Sequence, residues 1–254
     1  MAVRSRTLCL AVAAFALLAT SMANAQSTQQ RKQKIKEIEA QATALAIARK
    51  SRSDELLRKE GVPVSQSLPP IQDETQVKRR TAEEIAWRAL ALLAVSIKGN
   101  GLDEAKIQKL VEKYNLGSRF TPDEQKFIRD PNPSEHDRSQ YSWRYEAAWV
   151  LLWSMGYVDE LGKPVSECDV DAAITMMLNR TSAQFIADAK LRPLDDIVEQ
   201  ADRIYRYHWA VVDARLNKGK AGGLNPDVTV ERHHALNWLI GYMNAEWDDV
   251  STDT

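Results

Sequence analysis

Three short stretches carry most of the chemically capable side chains of this chain: Trp143–Trp153, Asp202–Asp213 and Glu231–Trp238. Each combines Trp with Arg and a carboxylate, and the second and third add His. Charges set among large aromatics must be paired or hydrated, so these residues form the expected polar centre of the fold. Their types suit three roles. Arg144, Arg206 or Arg232, with Asp202 and His233 beside them, could hold a small anionic ligand, because a guanidinium fork matches carboxylate and phosphate. Glu146, His208, Glu231 and His234 could move protons, since imidazole titrates near neutral pH. The third role is structural: a buried ion-pair network, its carboxylates bonded by indole N–H groups, that fixes how the helices register.

Helical spacing places some of these groups on shared faces. Asp202 and Arg206 are four apart and can pair, while Tyr205, His208, Trp209 and Val212 form a neighbouring stripe. Glu231 lies one turn from His234 and Ala235, with Trp238 a turn further on. Arg144 and Glu146 point in different directions and need partners from other helices; Glu146 or Glu231 with Arg206 or Arg232 are the expected buried pairs. Glu231 and His234 also make half of the Glu-x-x-His pattern of carboxylate-bridged di-iron bundles. The second half is missing, because Tyr205 stands where an acid should precede His208, and no His-Glu-x-x-His zinc motif occurs. No metal set is therefore assigned, and no cofactor is identified. His136, in a Glu135–Asp137 loop, reads as a solvated surface cluster, and no Ser occupies a nucleophile elbow.

The elements that must position these groups are helical. Thr81 and Glu84 form a capping box ahead of Ile85, Ala89, Leu92, Leu93 and Val95, and Gly99–Gly101 ends that helix. A second helix starts near Asp103 and stops at Gly117; Thr121, Pro122 and Glu124 start a short third one that ends before Pro131. Tyr141–Met155 is apolar nearly all round after Glu146, as in a helix buried on most sides. Asp169 caps a helix through Met177, Ala183–Ala189 forms another, and Pro193 opens the longest, which runs to the Gly219–Gly223 loop. Asn225 and Pro226 begin the last, which extends to about Tyr242, and Trp247 docks the acidic tail. Helix-period segments joined by short Gly/Pro turns predict an all-α, single multi-helix domain.

The first 25 residues have the form of an export signal: Arg4 and Arg6, an apolar run Leu8–Leu18, and a small-x-small site ending at Ala25. Cleavage there would leave a soluble chain, periplasmic or extracellular, with no transmembrane segment and with Cys168 as its one thiol, a packing residue. Residues 26–60 form a Gln/Lys-rich amphipathic helical arm with Ile35, Ile38, Ala42, Leu45 and Ala46 on its stripe, able to mediate self-association. Residues 61–79 are a Pro-containing linker and residues 80–254 the helical domain. The formal charge of −1, which becomes −3 without the two Arg of the signal, argues against nucleic acid as a partner.

Several segments resemble the bacterial family catalogued as domain of unknown function 4272. They are Gly61–Val64, Arg80–Val95, Trp143–Glu146 with Val150–Trp153, Asp202 with Tyr205–Ala210, Glu231–Trp238 and the closing Trp247–Asp249. The resemblance spans roughly Leu56 to Thr254 and implies a mostly helical domain without an assigned activity. No complete catalytic constellation is present. The expected function is therefore an exported binding or interaction module, taking an unidentified protein or a small anionic ligand, and the alternative is an enzyme using the His/Glu groups beside an Arg clamp.

Overall fold

The chain is described by a computed structural model that covers residues 42–254 together with Gln33, Lys36 and Glu37. The export signal and much of the first half of the arm, including Ile35 and Ile38, lie outside the described residues. Every regular element described is helical, and the fold is the expected all-α one.

Helix α2 (Ala82–Gly99) is the centre of the molecule. The Thr81/Glu84 capping box forms as predicted, and Ile85, Ala89, Leu92, Leu93 and Val95 are all fully buried. Around it pack α3 (Glu104–Tyr114), α4 (Pro122–Arg129), α5 (Glu135–Ser142), α6 (Arg144–Ser154), α7 (Val170–Leu178) and α8 (Ser182–Ala187). From α6 the contacts continue outward to α10 (Pro226–Leu239), then α9 (Leu194–Asn217), then α1 (Ala44–Lys59). The functional stretches lie on α6, α9 and α10, three consecutive members of this row. Two 3₁₀ turns, Tyr242–Asn244 and Trp247–Asp249, bring the tail back over α10, and Trp247 is buried as expected.

Four local expectations are corrected. The segment Tyr141–Met155 is not one helix: Ser134 caps a separate α5 by accepting from Asp137 N at 3.1 Å, and the chain turns at Trp143 before α6 begins. His136 consequently sits in the first turn of a helix and not in a loop, though it is exposed. Helix α3 ends at Asn115, whose left-handed backbone (φ 55°) does the work expected of Gly117; the Asn side chain makes that conformation accessible. On α1, Ala46 is buried as expected but Leu45 is 63% exposed, and the inner face continues through Arg49, Ser53, Asp54 and Leu57. The polar members are tolerated inside because α1 meets matching charges, with Arg49 donating to Gln72 O at 3.2 Å and to Glu74 at 2.5 Å.

Two cations, buried Lys98 and half-buried Arg192, fasten loops to this frame. Lys98, at the end of α2, donates to Ile128 O (2.8 Å) and Asp130 O (2.7 Å), capping the C-terminus of α4. Arg192 similarly gathers Trp153 O, Val158 O and Asp159 O at 2.6–2.8 Å. Gly99 lies where α5 crosses α2; an added Cβ would sit 2.7 Å from Ser142 N and 2.8 Å from Arg138 O, so glycine is what lets those backbones approach.

Candidate functional site

Helices α6 and α10 exchange two ion pairs. Arg232 Nε donates to Glu146 Oε2 at 3.0 Å, and Arg232 Nη1 donates to Leu161 O at 2.7 Å. The second oxygen of Glu146 accepts the backbone N–H of Cys168. Both side chains are nearly sealed from water, at 5% and 2% exposure, so this pair organises the junction of α6, α10 and the loop before α7. Nearer the surface, Arg144 Nη1 donates to both oxygens of Glu231, at 2.9 and 3.0 Å. Burial pushes the Glu231 carboxyl up in pKa, while Arg144 pulls it down. Glu146 with Arg232 is one of the pairs expected from sequence, and Arg144 and Glu146 do take partners from another helix.

Arg206 goes elsewhere. It bonds Asp202 one turn back through Nε (2.9 Å) and Nη2 (2.7 Å), approaches Asp54 of α1 at 3.5 Å and donates to Pro69 O at 3.3 Å. Asp202 is fully buried and Arg206 is 1% exposed, so this pair fastens α1 and the 61–79 segment to α9. One stretch thus divides its charges: Asp202 and Arg206 face α1, while His208 faces α10. His208 Nδ1 lies 2.8 Å from His233 Nδ1, with the rings edge to face. A contact between two ring nitrogens needs one donor and one acceptor, so at least the accepting imidazole is neutral. Burial lowers both pKa values, that of His233 strongly, and Arg215 adds to the effect at His208. Around this pair lie Asn237, which donates to Ser251 O at 2.8 Å, and a small cavity lined by Pro69–Gln72, Tyr205, His233 and Asp253.

The Trp residues of these stretches are unevenly buried. Trp153, Trp238 and Trp247 are buried, whereas Trp143, Trp149 and Trp209 are half-buried. The indole–carboxylate bond that does occur, Trp87 Nε1 to Glu83 at 3.2 Å, lies outside the three stretches. Trp238 instead stacks under Arg80 (4.7 Å to the ring centre) and Trp247 under Arg88 (5.2 Å), both favourable for a desolvated cation. Cys168 is half-buried, and burial together with Glu146 pushes its thiol up, away from the reactive thiolate.

Three of the sequence candidates meet at one solvent-reachable place. A cavity of about 180 Å³ opens between α4, α5, α6 and α10, lined by Asp123, Glu124, Gln140, Tyr141, Arg144, His234, Trp247 and Asp248. Arg144 and His234 line it directly, and Glu231 stands behind Arg144. His234 Nε2 lies 3.0 Å from Trp247 O; a carbonyl only accepts, so Nε2 carries the proton and in the neutral ring Nδ1 is the acceptor. Burial, with Arg144 and Arg88 nearby, lowers the His234 pKa to about 4, so the ring is neutral at physiological pH. Burial beside Glu124 and Asp123 raises Tyr141 to about 12, keeping its hydroxyl protonated.

The group that distinguishes this cavity was missed by sequence reasoning. Glu124 is the capping-box acid of α4, which fully accounts for it in sequence, yet its side chain is 3% exposed. Its Oε2 accepts both the Thr121 N–H (3.0 Å) and Arg88 Nη2 (2.5 Å), and Oε1 has no partner. A buried charged acceptor left bare costs about 1–3 kcal/mol or more. Helix α4 and its partner Arg88 hold that oxygen in place regardless.

A larger groove, about 480 Å³, lies between α1, α9 and the Asp159–Lys163 turn. Its lining is paired within itself: Tyr207 donates to Glu60 (2.6 Å), Lys163 to Glu60 O (3.1 Å) and Gly222 O (2.7 Å), and Arg203 to Glu199 (3.1 Å). Glu146 borders a third cavity with Asn100, Trp143 and Glu167. Glu146, His208 and His234 therefore do not converge on one space. Among the described residues no three His, Cys, Asp or Glu side chains are grouped as a metal site requires, and no helix is long and apolar enough to cross a membrane.

No curated protein and no solved structure matches the chain. The model of a family described as a domain of unknown function, DUF4272, matches residues 49–250, a span that takes in α6, α9, α10, the cavity at Glu124 and the C-terminal two thirds of α1. By that match the chain belongs to the DUF4272 family.

Proposed function

We propose that this protein is an exported, non-enzymatic module that binds a small polar molecule in the cavity at Glu124, Arg144 and His234. The observation that carries the reading is the cavity itself, where Arg144 of α6 and His234 of α10 are brought to one solvent-reachable hollow beside Glu124, Tyr141 and Asp248. Few convergent polar groups in a preformed hollow are the usual makings of a small-molecule site, although this one is smaller than most. The enzymatic alternative has less support, because Arg206 and Arg232 are both sealed and paired and leave Arg144 as the cation at this cavity. Export rests on the sequence of the first 25 residues. Intact mass of the protein from its own compartment should give a mature start at Gln26, and an unprocessed cytoplasmic form would count against it.

Binding is tested by thermal unfolding with separate series of alkylamines, carboxylates, amino acids and phosphate. A ligand at ten times its Kd should stabilise by about 1.4 kcal/mol. For a domain of this size that raises Tm by about 3–5 °C. Gln140→Trp, at an exposed cavity-lining position, should fill the site and abolish the rise whatever the ligand's charge. A wild-type Tm unmoved by every series, or a rise that survives Gln140→Trp, would overturn the reading.

A further inference from the structure

We propose that residues 43–79, helix α1 with the chain that returns along it, form a lid that lifts from α9 and α10 as one body and opens the face carrying Asp202, Arg206 and His233. The two arms of the lid are bonded to each other. Thr43 donates to Asp73, and Arg49 donates to Gln72 O at 3.2 Å and to Glu74 at 2.5 Å. Residues 77–80, which join the lid to α2, belong to no regular element. The chain is fixed at their end, where Arg80 donates to Trp238 O (3.4 Å) and Ala245 O (2.9 Å). A bonded unit on one short connection is the form a hinged cover takes.

The seam beneath the lid is poorly closed. Three of the five buried side chains of α1 are polar: Arg49, Ser53 and Asp54. Among the described residues, six buried side-chain atoms have no hydrogen-bond partner, and four of them lie on the two helices that meet here. They are Ser53 Oγ and Asp54 Oδ1 on α1, and Arg203 Nε and Arg206 Nη1 on α9. Such atoms weaken the docked state and regain water when the helices part. Two hollows follow the same boundary: the groove of about 480 Å³ between α1 and α9, and the small cavity with residues 69–72 on one side and Tyr205 and His233 on the other.

Parting the seam strands no buried charge. Arg206 loses Asp54 (3.5 Å) and Pro69 O (3.3 Å) but keeps both bonds to Asp202 on its own helix. Asp54 keeps Lys50 (3.2 Å), Arg49 keeps Glu74, and Glu199 gives up Arg52 (2.8 Å) while keeping Arg203 (3.1 Å). Breaking a buried pair is costly when one partner is left uncompensated, and here each keeps another. The contacts that hold the lid down gather at its tip. Leu57 and Val62 are sealed there, Tyr207 and Lys163 reach Glu60, and Gly222 packs on the backbone of Gly61 and Val62.

The test is double electron–electron resonance on the mature protein, with spin labels at Ser51→Cys on α1 and Lys109→Cys on α3, both exposed, and with Cys168→Ser. Two distances are expected, the second longer by roughly a helix diameter, about 10 Å. Raising NaCl to about 0.5 M should increase the longer population about threefold, because the partly exposed Arg52–Glu199 pair is screened. Glu199→Gln at low salt should do the same. Gly222→Ala should favour the open form from the tip, since its Cβ would lie 2.8 Å from Gly61 O. Hydrogen exchange should show the α1 amides still protected as the distance lengthens. A single distance, or two whose ratio is indifferent to salt and to both variants, would overturn the lid. So would a longer distance that appears only as α1 loses its amide protection, because the helix would then be unfolding and not lifting.

Discussion

Glu146→Ala is expected to destabilise the protein by about 3–5 kcal/mol, the range for removing one partner of a buried ion pair. The substitution leaves the Arg232 guanidinium 5% exposed and without its carboxylate, and strips the Cys168 N–H of its acceptor. Leu161 O would still accept from Arg232, which keeps the loss short of complete unfolding in a domain of ordinary stability. Urea denaturation followed by Trp fluorescence measures the change. A double variant, Glu146→Leu with Arg232→Met, should recover much of it, since replacing both charges removes the uncompensated one. A loss below about 1 kcal/mol in Glu146→Ala would mean that water reaches the pair and that it does not organise the α6–α10 junction.

Acid should destabilise the protein well before its carboxylates are fully protonated. His208, His233 and His234 all have folded-state pKa values below the ordinary 6.5, with burial as the first cause. As pH falls through 6.5 the unfolded chain takes up these protons and the native state does not, so stability is fully present above 6.5 and declines below it. Each imidazole contributes a slope of about 1.4 kcal/mol per pH unit until its folded pKa is reached, near 4 for His234. Three together approach roughly 4 kcal/mol per unit at the steepest point. The groups facing them are mixed: Arg215 and Arg144 resist protonation, whereas Asp253 and the carbonyls of Thr252 and Trp247 favour it. Urea unfolding at intervals from pH 7.5 to 4.5 reads the slope. His233→Asn, which removes the fully buried ring, should reduce it by one proton's worth; an unchanged wild-type stability down to pH 5 would show that the histidines titrate freely.

Helix starts were the most legible part of the fold. Thr81, Asp103, Thr121, Asp169 and Asn225 all cap as their sequences predict, because a cap is an interaction among residues within one turn. Breaks without a Gly or Pro were not legible. The turn at Trp143 lies inside an unbroken helical pattern, and only the crossing of α5 over α2 at Gly99 gives a reason for it. The inward face of α1 was misread for a related reason: a polar stripe is ordinarily a solvated one, and Arg49 and Asp54 are buried only because Glu74 and Arg206 arrive from elsewhere in the chain.

What the sequence determined by itself, then, was an all-helical chain and three stretches whose charges could not stay unpaired, since propensity, capping and the cost of burying charge act locally or on single side chains. The choice of partners belonged to the tertiary structure. Arg232 rather than Arg206 reaches Glu146, His208 meets His233 through one shared hydrogen bond, and Arg206 turns to α1. Glu124 is the sharpest case. In sequence it is a capping residue with its work accounted for, and only the packing of α4 against Arg88 gathers its bonds on one oxygen and leaves the other buried without a partner. Which oxygen stays bare depends on the relative placement of helices far apart in the chain, and no local rule encodes that.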